Sequence, residues 1–367
     1  MSMKNLYLLI AIVLPNLFAI EAQSNGVKMT VTRSEYKYHS PAEFYEIMNK
    51  STVTYNLRIV DELTPFVLNE NSMESYSINP YHRIKYESVN KYSIIIDIPT
   101  EKIASLFSLA DLESEKGNYQ ACQKIYLQAL SLDSTYFKTW TYLGDVYYTL
   151  GEYETAEKCV LKSIELNDVG YQEYFILADI YNKTGRNEDA INAISYAYML
   201  NKNNPTLQKA LYGLLNRNGL KLRQKRLQFP FQIKKTGVSE CEIQIRKEDG
   251  NRWIPMANCL ACWEMEPSFR SQLQKENNWS AKVNMYKECL FNQGVTMETM
   301  KQKGIKLSQN EELLRDALFN MYINAIVYWE ILAGELPQSI LYLPKSERDH
   351  IVEYIKKFVY EKSDLIN

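Results

Sequence analysis

Residues 140–156 read Trp140-Thr141-Tyr142-Leu143-Gly144-Asp145-Val146-Tyr147-Tyr148-Thr149-Leu150-Gly151-Glu152-Tyr153-Glu154-Thr155-Ala156, and the same frame is written once before and once after. Gly117, Gly151 and Gly185 lie 34 residues apart. With each glycine counted as position 15, position 7 holds Leu109, Leu143 and Leu177, and position 8 holds Ala110, Gly144 and Ala178. Position 20 holds Cys122, Ala156 and Ala190, position 24 Tyr126, Val160 and Ile194, and position 27 Ala129, Ser163 and Ala197. Small residues on both sides of the glycine let two helices cross closely, and the glycine belongs to the turn between them, where a positive φ is cheap only without a side chain. Repetition at this interval over residues 103–204 predicts a solenoid of stacked helical hairpins, an architecture whose surfaces commonly bind other chains.

The pattern resembles the tetratricopeptide repeat family. In the second unit Trp140, Leu143, Gly144, Tyr147, Gly151, Tyr153 and Ala156 occupy the signature positions, and in the third Tyr174, Leu177, Ala178, Tyr181, Gly185 and Ala190 do so. The first unit departs most, with Leu106 in place of an aromatic and Glu113 in place of a tyrosine. The proline usual near position 32 is missing from all three, and Pro205 arrives three residues late. One further interval leads to Gly219, with Leu211 and Leu215 at positions 7 and 11, so 206–218 reads as the helix that caps the array.

The expected fold is therefore mainly α, three repeats plus a capping helix, flanked by a small mixed N-terminal region and a mostly helical C-terminal region. The boundaries fall at 1–22, 23–100, 101–220 and 221–367. In the N-terminal part Val27–Val31, Val53–Val60 and Tyr92–Ile98 are β-rich, and Ser40-Pro41-Ala42-Glu43 reads as a helix start. Beyond Pro230, Cys241–Lys247 alternates as a strand before Asp249-Gly250, and helices are expected over Trp253–Glu264, Lys282–Phe291, Asn310–Leu332 and Ser346–Glu361.

Lys4, an apolar run from Leu6 to Ile20 and the small Ala22 have the order of a secretory signal peptide, with the mature chain starting near Gln23. That run is short for a membrane span, which needs about 20 apolar residues, so the mature chain is expected to be periplasmic or secreted with no transmembrane segment. The net charge of −2 over 367 residues gives no general attraction to nucleic acid. The one dense basic run, Lys221, Arg223, Lys225 and Arg226, reads as a solvated end of the array. Asn49, Asn182 and Asn278 each open a glycosylation sequon, relevant only in a eukaryotic source.

Position 9 holds Asp111, Asp145 and Asp179. The resemblance implies that the first helix of each repeat lines an inner groove, where three carboxylates in register favour a basic or amine-bearing ligand. An acid there is also ordinary for such helices, bonded locally or solvated. Phe107, Lys138, Thr141, Tyr148, Phe175 and Asn182 complete the candidate partner-binding set. A subtype of the family grips a C-terminal carboxylate with lysine, arginine and asparagine; the matching places here hold Phe107, Asp111, Tyr142, Asp145 and Ile176, which argues against that mode.

Cys259-Leu260-Ala261-Cys262 is a Cys-x-x-Cys within an expected helix. Thiol exchange and, with Cys241 and Cys289, a four-thiolate zinc site are two readings. A packed pair, or one structural disulfide to Cys241 or Cys289, is a plainer third. Cys122 and Cys159 read as small apolar residues. No phosphate loop, catalytic triad, metalloprotease motif or dinucleotide fingerprint occurs, so no catalytic, metal or cofactor site is expected. The reading is a non-enzymatic adaptor that binds a peptide or protein in its groove. Its rivals are an enzyme or thiol-redox accessory with its site in 231–367, and a structural component of an envelope assembly.

Overall fold

The computed structural model describes residues 37–63, 79–88, 91–223, 227, 229–274, 279–333 and 337–363. The signal-peptide reading, the Val27–Val31 strand, Lys225, Arg226 and Asn278 lie outside them.

Ser40 starts helix α1 (Pro41–Lys50) through a capping box: its hydroxyl accepts from the Glu43 N–H while the Glu43 carboxylate accepts from the Ser40 N–H. Strand β1 (Thr54–Val60) follows, then the paired strands β2 (His82–Ser88) and β3 (Lys91–Ile96). The repeats are the hairpins α2 (Glu101–Glu115) with α3 (Tyr119–Leu132), α4 (Phe137–Thr149) with α5 (Tyr153–Leu166), and α6 (Tyr171–Lys183) with α7 (Asn187–Leu200). The cap is α8 (Pro205–Arg217), its start fixed by Asn204, whose side chain accepts from the Leu207 N–H. After β4 (Leu220–Leu222), β5 (Phe231–Gly237) and β6 (Glu240–Arg246) come α9 (Ile254–Met265), α10 (Pro267–Leu273), α11 (Trp279–Gln302) and α12 (Gln309–Phe319). Helix α13 (Lys345–Tyr354) and β7 (Tyr360–Lys362) end the described chain.

The repeat glycines do what their spacing implies. Gly117, Gly151 and Gly185 have φ of 73°, 82° and 76°, and the cap's Gly219 has 67°. At Gly151 the turn is a Schellman closure: the Gly151 N–H reaches the Tyr148 carbonyl and the Glu152 N–H the Tyr147 carbonyl, at 3.0 and 2.9 Å. Within each hairpin the small residues Ala110, Cys122, Ala129, Ala156, Ser163, Ala178, Ala190 and Ala197 are buried. At Gly144 an added Cβ would stand 2.6 Å from Val160 Cγ2 and 3.3 Å from the Ala156 carbonyl. Leu143 packs against the core of the preceding repeat, with Ile103, Ala110 and Cys122. Its counterpart Leu109 remains half-exposed, because no repeat precedes it among the described residues.

The chain divides into two compact units that cut across the sequence boundaries drawn above. The repeats, the β2–β3 hairpin near its base and the last 30 or so residues form one, because β4 pairs antiparallel with β7 (Leu220↔Lys362, Leu222↔Tyr360) and α13 packs on α7. Arg348 of α13 pairs with Asp168, and the Tyr360 hydroxyl meets that of Ser195 at 2.9 Å. In the other unit β1 runs parallel to β6, which pairs antiparallel with β5. Buried Cys241, Ile243 and Ile245 of β6 face α9, which in turn packs on α1 and α11.

Two expected helices are interrupted. The run from 310 to 332 breaks after α12, where Met321 takes φ 68° and the Tyr322 N–H returns to the Ala317 carbonyl; a short helical turn (Ile323–Ala325) then runs into the π-helical Ile326–Leu332. The last helix gives way after Tyr354 to a π-helical turn (Ile355–Val359) and then β7, whose partner strand β4 captures its backbone.

Gly151→Ala is expected to cost about 1–2 kcal/mol, the penalty of a left-handed residue with a side chain. Gly144→Leu is expected to cost about 1–3 kcal/mol by overpacking. Urea unfolding of both variants checks these values; a neutral Gly144→Leu would contradict the close crossing.

Candidate functional groove

The first helices of the repeats, α2, α4 and α6, together with the cap α8, present one continuous register of residues. Phe175, Ala178, Asp179 and Asn182 of α6 face Thr206, Lys209, Ala210, Gly213, Leu214 and Arg217 of α8 across a groove of about 350 Å³. The three aspartates line up along the same face: Asp145 adds to the charge felt by Asp179, and the Tyr148 hydroxyl senses both. Desolvation pushes the Asp145 and Asp179 carboxyls above the usual range; Asp179 lies half-buried on the groove wall, whereas Asp145 is an exposed residue on the preceding first helix. Arg217 works against that rise at Asp179. Asp111 is exposed. Among the described residues none of the three aspartates makes a side-chain hydrogen bond or ion pair, and neither Lys209 nor Arg217 does.

Three candidates named from the sequence sit elsewhere. Phe107 is a core residue, packed against Tyr126, Tyr136 and Tyr142 at ring distances of 5.6, 6.1 and 5.2 Å. Lys138 is fully buried: its ammonium donates to Gln172 and to Glu173, each at 2.8 Å, and lies over the rings of Tyr81 and Phe137. Thr141 is buried beside it, bonded to Glu173 and to the Ser163 hydroxyl. The segment leading into β2 covers this end of the first helices, with the Tyr81 hydroxyl 3.1 Å from that of Tyr142 and the Asn167 amide donating to the His82 carbonyl. Tyr148, Phe175 and Asn182 are partly exposed, the last two on the groove wall.

The sequence reading missed Lys209, Gly213 and Arg217, positions 5, 9 and 13 of the fourth, partial unit. Extending the frame to Gly219 was enough to number them. At position 9 the row changes from aspartate to glycine, and an added Cβ at Gly213 would meet nothing nearer than Arg217 Nη1 at 3.6 Å. The missing side chain opens the groove and leaves room for the two cations at its end.

In the other unit, Cys259 and Cys262 are both buried in α9, without solvent access. Burial raises the Cys259 thiol well above its ordinary value and takes Cys262 to about 12 and Cys241 to about 11. Protonated, enclosed thiols are poor nucleophiles for disulfide exchange. Cys259 faces Cys289 of α11, sulfur to sulfur at 2.8 Å, rather than Cys262. Among the described residues no group of three or more His, Cys, Asp and Glu side chains is placed to hold a metal, and no helix is long and apolar enough to cross a membrane.

Breaking the buried Lys138–Glu173 pair by Lys138→Met or Glu173→Gln is expected to cost about 3–5 kcal/mol each, because either change strands an uncompensated buried group. The double variant should recover part of that loss, and a urea-denaturation cycle measures the coupling. For Asp145→Asn and Asp179→Asn the sign reverses. A carboxyl whose folded value is raised contributes stability below its unfolded value, about 3.9, and loses it as pH rises through the folded value. Each asparagine variant is therefore expected to equal the parent near pH 3.5 and to unfold at a higher temperature at pH 7.

Two profiles described as Tetratricopeptide repeat match residues 103–136 and 125–158. No curated protein matches the chain. Similar solved structures include the first TPR of Spaghetti (RPAP3) bound to the HSP90 peptide SRMEEVD, 16% identical over 33% of this chain and 98% of that one, with a TM-score of 0.32. The Arabidopsis OM64 TPR domain is 14% identical over 32% and 97%, at 0.31, and the MamA protein 15% identical over 66% and 97%, at 0.29. Residues 103–158 are tetratricopeptide repeats, and α6, α7 and α8 continue their 34-residue frame into a helical solenoid.

Proposed function

We propose that this chain is a non-enzymatic adaptor that holds a peptide or protein segment in the groove of its repeats, outside the cytoplasm. Tetratricopeptide repeats are protein-interaction modules, which supports the first part; the order of residues 4–26 supports the second. The observation that carries the groove assignment is the set of charges left without partners on it. Asp179 sits half-buried on the groove wall with no side-chain hydrogen bond, and Asp145 stands unpaired and exposed on the preceding first helix. The exposed Lys209 and Arg217 line the groove with Asp179, without ion-pair partners among the described residues. Elsewhere in the same unit the fully buried Lys138 is paired with Glu173. Charged side chains of both signs that line one groove without pairing to each other leave that surface free to pair with a charged ligand.

The groove has a charge order. Asp179 stands on its α6 wall with Asp145 and Asp111 at the same repeat position on the two preceding first helices, Lys209 and Arg217 lie on the cap, and Phe175, Ala178, Ala210 and Leu214 supply apolar wall. It suits an extended segment with basic side chains at one end and an acidic group at the other, which fixes the direction in which the segment lies.

Affinity capture from the extracytoplasmic fraction of the native host tests this. Asn at all three aspartates is expected to lower partner recovery about tenfold or more, as loss of roughly 1 kcal/mol per partly screened charge pair implies. Gly213→Leu is expected to block recovery by filling the groove, and Leu161→Ser on the second helix to leave it unchanged. Undiminished recovery with both groove variants would remove the groove from the mechanism.

A further inference from the structure

We propose that Cys259 and Cys289 are joined by a disulfide that fastens α9 to α11 when the chain folds under oxidising conditions. The two sulfurs lie 2.8 Å apart, closer than two unbonded thiols pack and within a small adjustment of the roughly 2.05 Å bond. Both residues are completely buried on helices that face each other. The pairing of those helices is held independently nearby: the Trp263 indole, one turn beyond Cys259, donates to the Glu288 carboxylate, next to Cys289, at 2.7 Å. Glu288 in turn accepts from the His39 backbone, so this turn of α11 is anchored on two sides. The other two cysteines of the unit are placed differently. Cys241 lies on β6 opposite Tyr55, whose hydroxyl donates to the Glu266 carboxylate, and neither Cys241 nor Cys262 makes a sulfur–sulfur contact among the described residues.

The chemistry balances with an external disulfide, small-molecule or enzymic. One cysteine thiolate attacks the oxidant's S–S bond, forming a mixed disulfide and releasing one thiol. The second thiolate displaces the remaining half, leaving Cys259–S–S–Cys289. Two S–H bonds are lost, two protons and two electrons pass to the oxidant, and two oxidant thiols are released. Burial keeps these thiols protonated once the unit has closed. The exchange therefore belongs to folding, before α9 and α11 dock, and the completed bond is shielded from reductant. It closes a loop of 30 residues that carries α10 and the start of α11.

The test is an intact-mass measurement on the full chain refolded with a mixture of oxidised and reduced glutathione, then denatured in iodoacetamide. Of the six cysteines, four are expected to be alkylated without reductant and six after reduction. A tryptic digest is expected to contain one linked pair, Cys259 with Cys289. A Cys289→Ala variant is expected to show five alkylated thiols without reductant. In the double variant Cys259→Ala with Cys289→Ala, prior reduction should leave the unfolding midpoint unmoved, whereas reduction should lower it in the parent. Six alkylated thiols in the unreduced parent, or a link through Cys241 or Cys262 instead, would overturn the proposal.

Discussion

Close crossing of the two helices in each repeat is the constraint on which the solenoid depends. It requires a small side chain on both faces of the crossing and a turn that reverses the chain in few residues. Gly144 against Ala156 and Val160 satisfies the first demand, and the left-handed Gly151 with its Schellman hydrogen bonds the second. Because the demand is met at the same offset in every unit, each hairpin presents its first helix at an equivalent angle. Side chains at positions 5, 9, 12 and 13 therefore fall into rows along the stack. A groove with an ordered set of charges follows from a turn residue and a packing residue repeated at 34.

Two kinds of charge are built on this frame, one paired within the protein and one not. Lys138 and Glu173, from successive first helices, are removed from water together and pair through one carboxylate oxygen, with Gln172 on the ammonium and Thr141 on the same oxygen of Glu173. Such a pair adds little net stability but penalises any other register of α4 against α6, since misplacing one partner strands the other. Asp145 and Asp179 share those two helices, and Lys209 and Arg217 lie on the cap α8; none of the four has a side-chain hydrogen bond or ion pair among the described residues. Desolvation works against the aspartates; at Asp179 the charges of Arg217 and Lys183 offset part of it, and neither aspartate has a side-chain hydrogen bond. The first pair specifies how repeats stack; the second set remains on the surface without protein partners among the described residues.

The repeats, their cap and the start of α1 were legible in the sequence because each rests on local rules: a glycine at fixed spacing, small residues at crossings, a serine three residues before a glutamate. Non-local pairings were not. Nothing in Leu220–Leu222 announces a strand until Tyr360–Lys362 arrives beside it, and the parallel pairing of β1 with β6 joins residues about 185 positions apart. The same limit explains the site residues. Register places Lys138, Thr141 and Phe107 on the correct helices, but cannot foresee that Tyr81, Glu173 and a ring of tyrosines cover them. Lys209, Gly213 and Arg217 were within reach of the frame; they carry no repeated residue type, so only their position marks them.

The central claim is that the inner face of α6 and α8, and not the outer face of the second helices, meets the partner. Site-specific photo-crosslinking in the native host tests it most directly, with a benzoylphenylalanine at Phe175 on the groove wall or at Leu161, an exposed residue of α5. The account predicts a discrete adduct from position 175 and none from position 161. An adduct from position 161 alone, or equal yields from both, would contradict it.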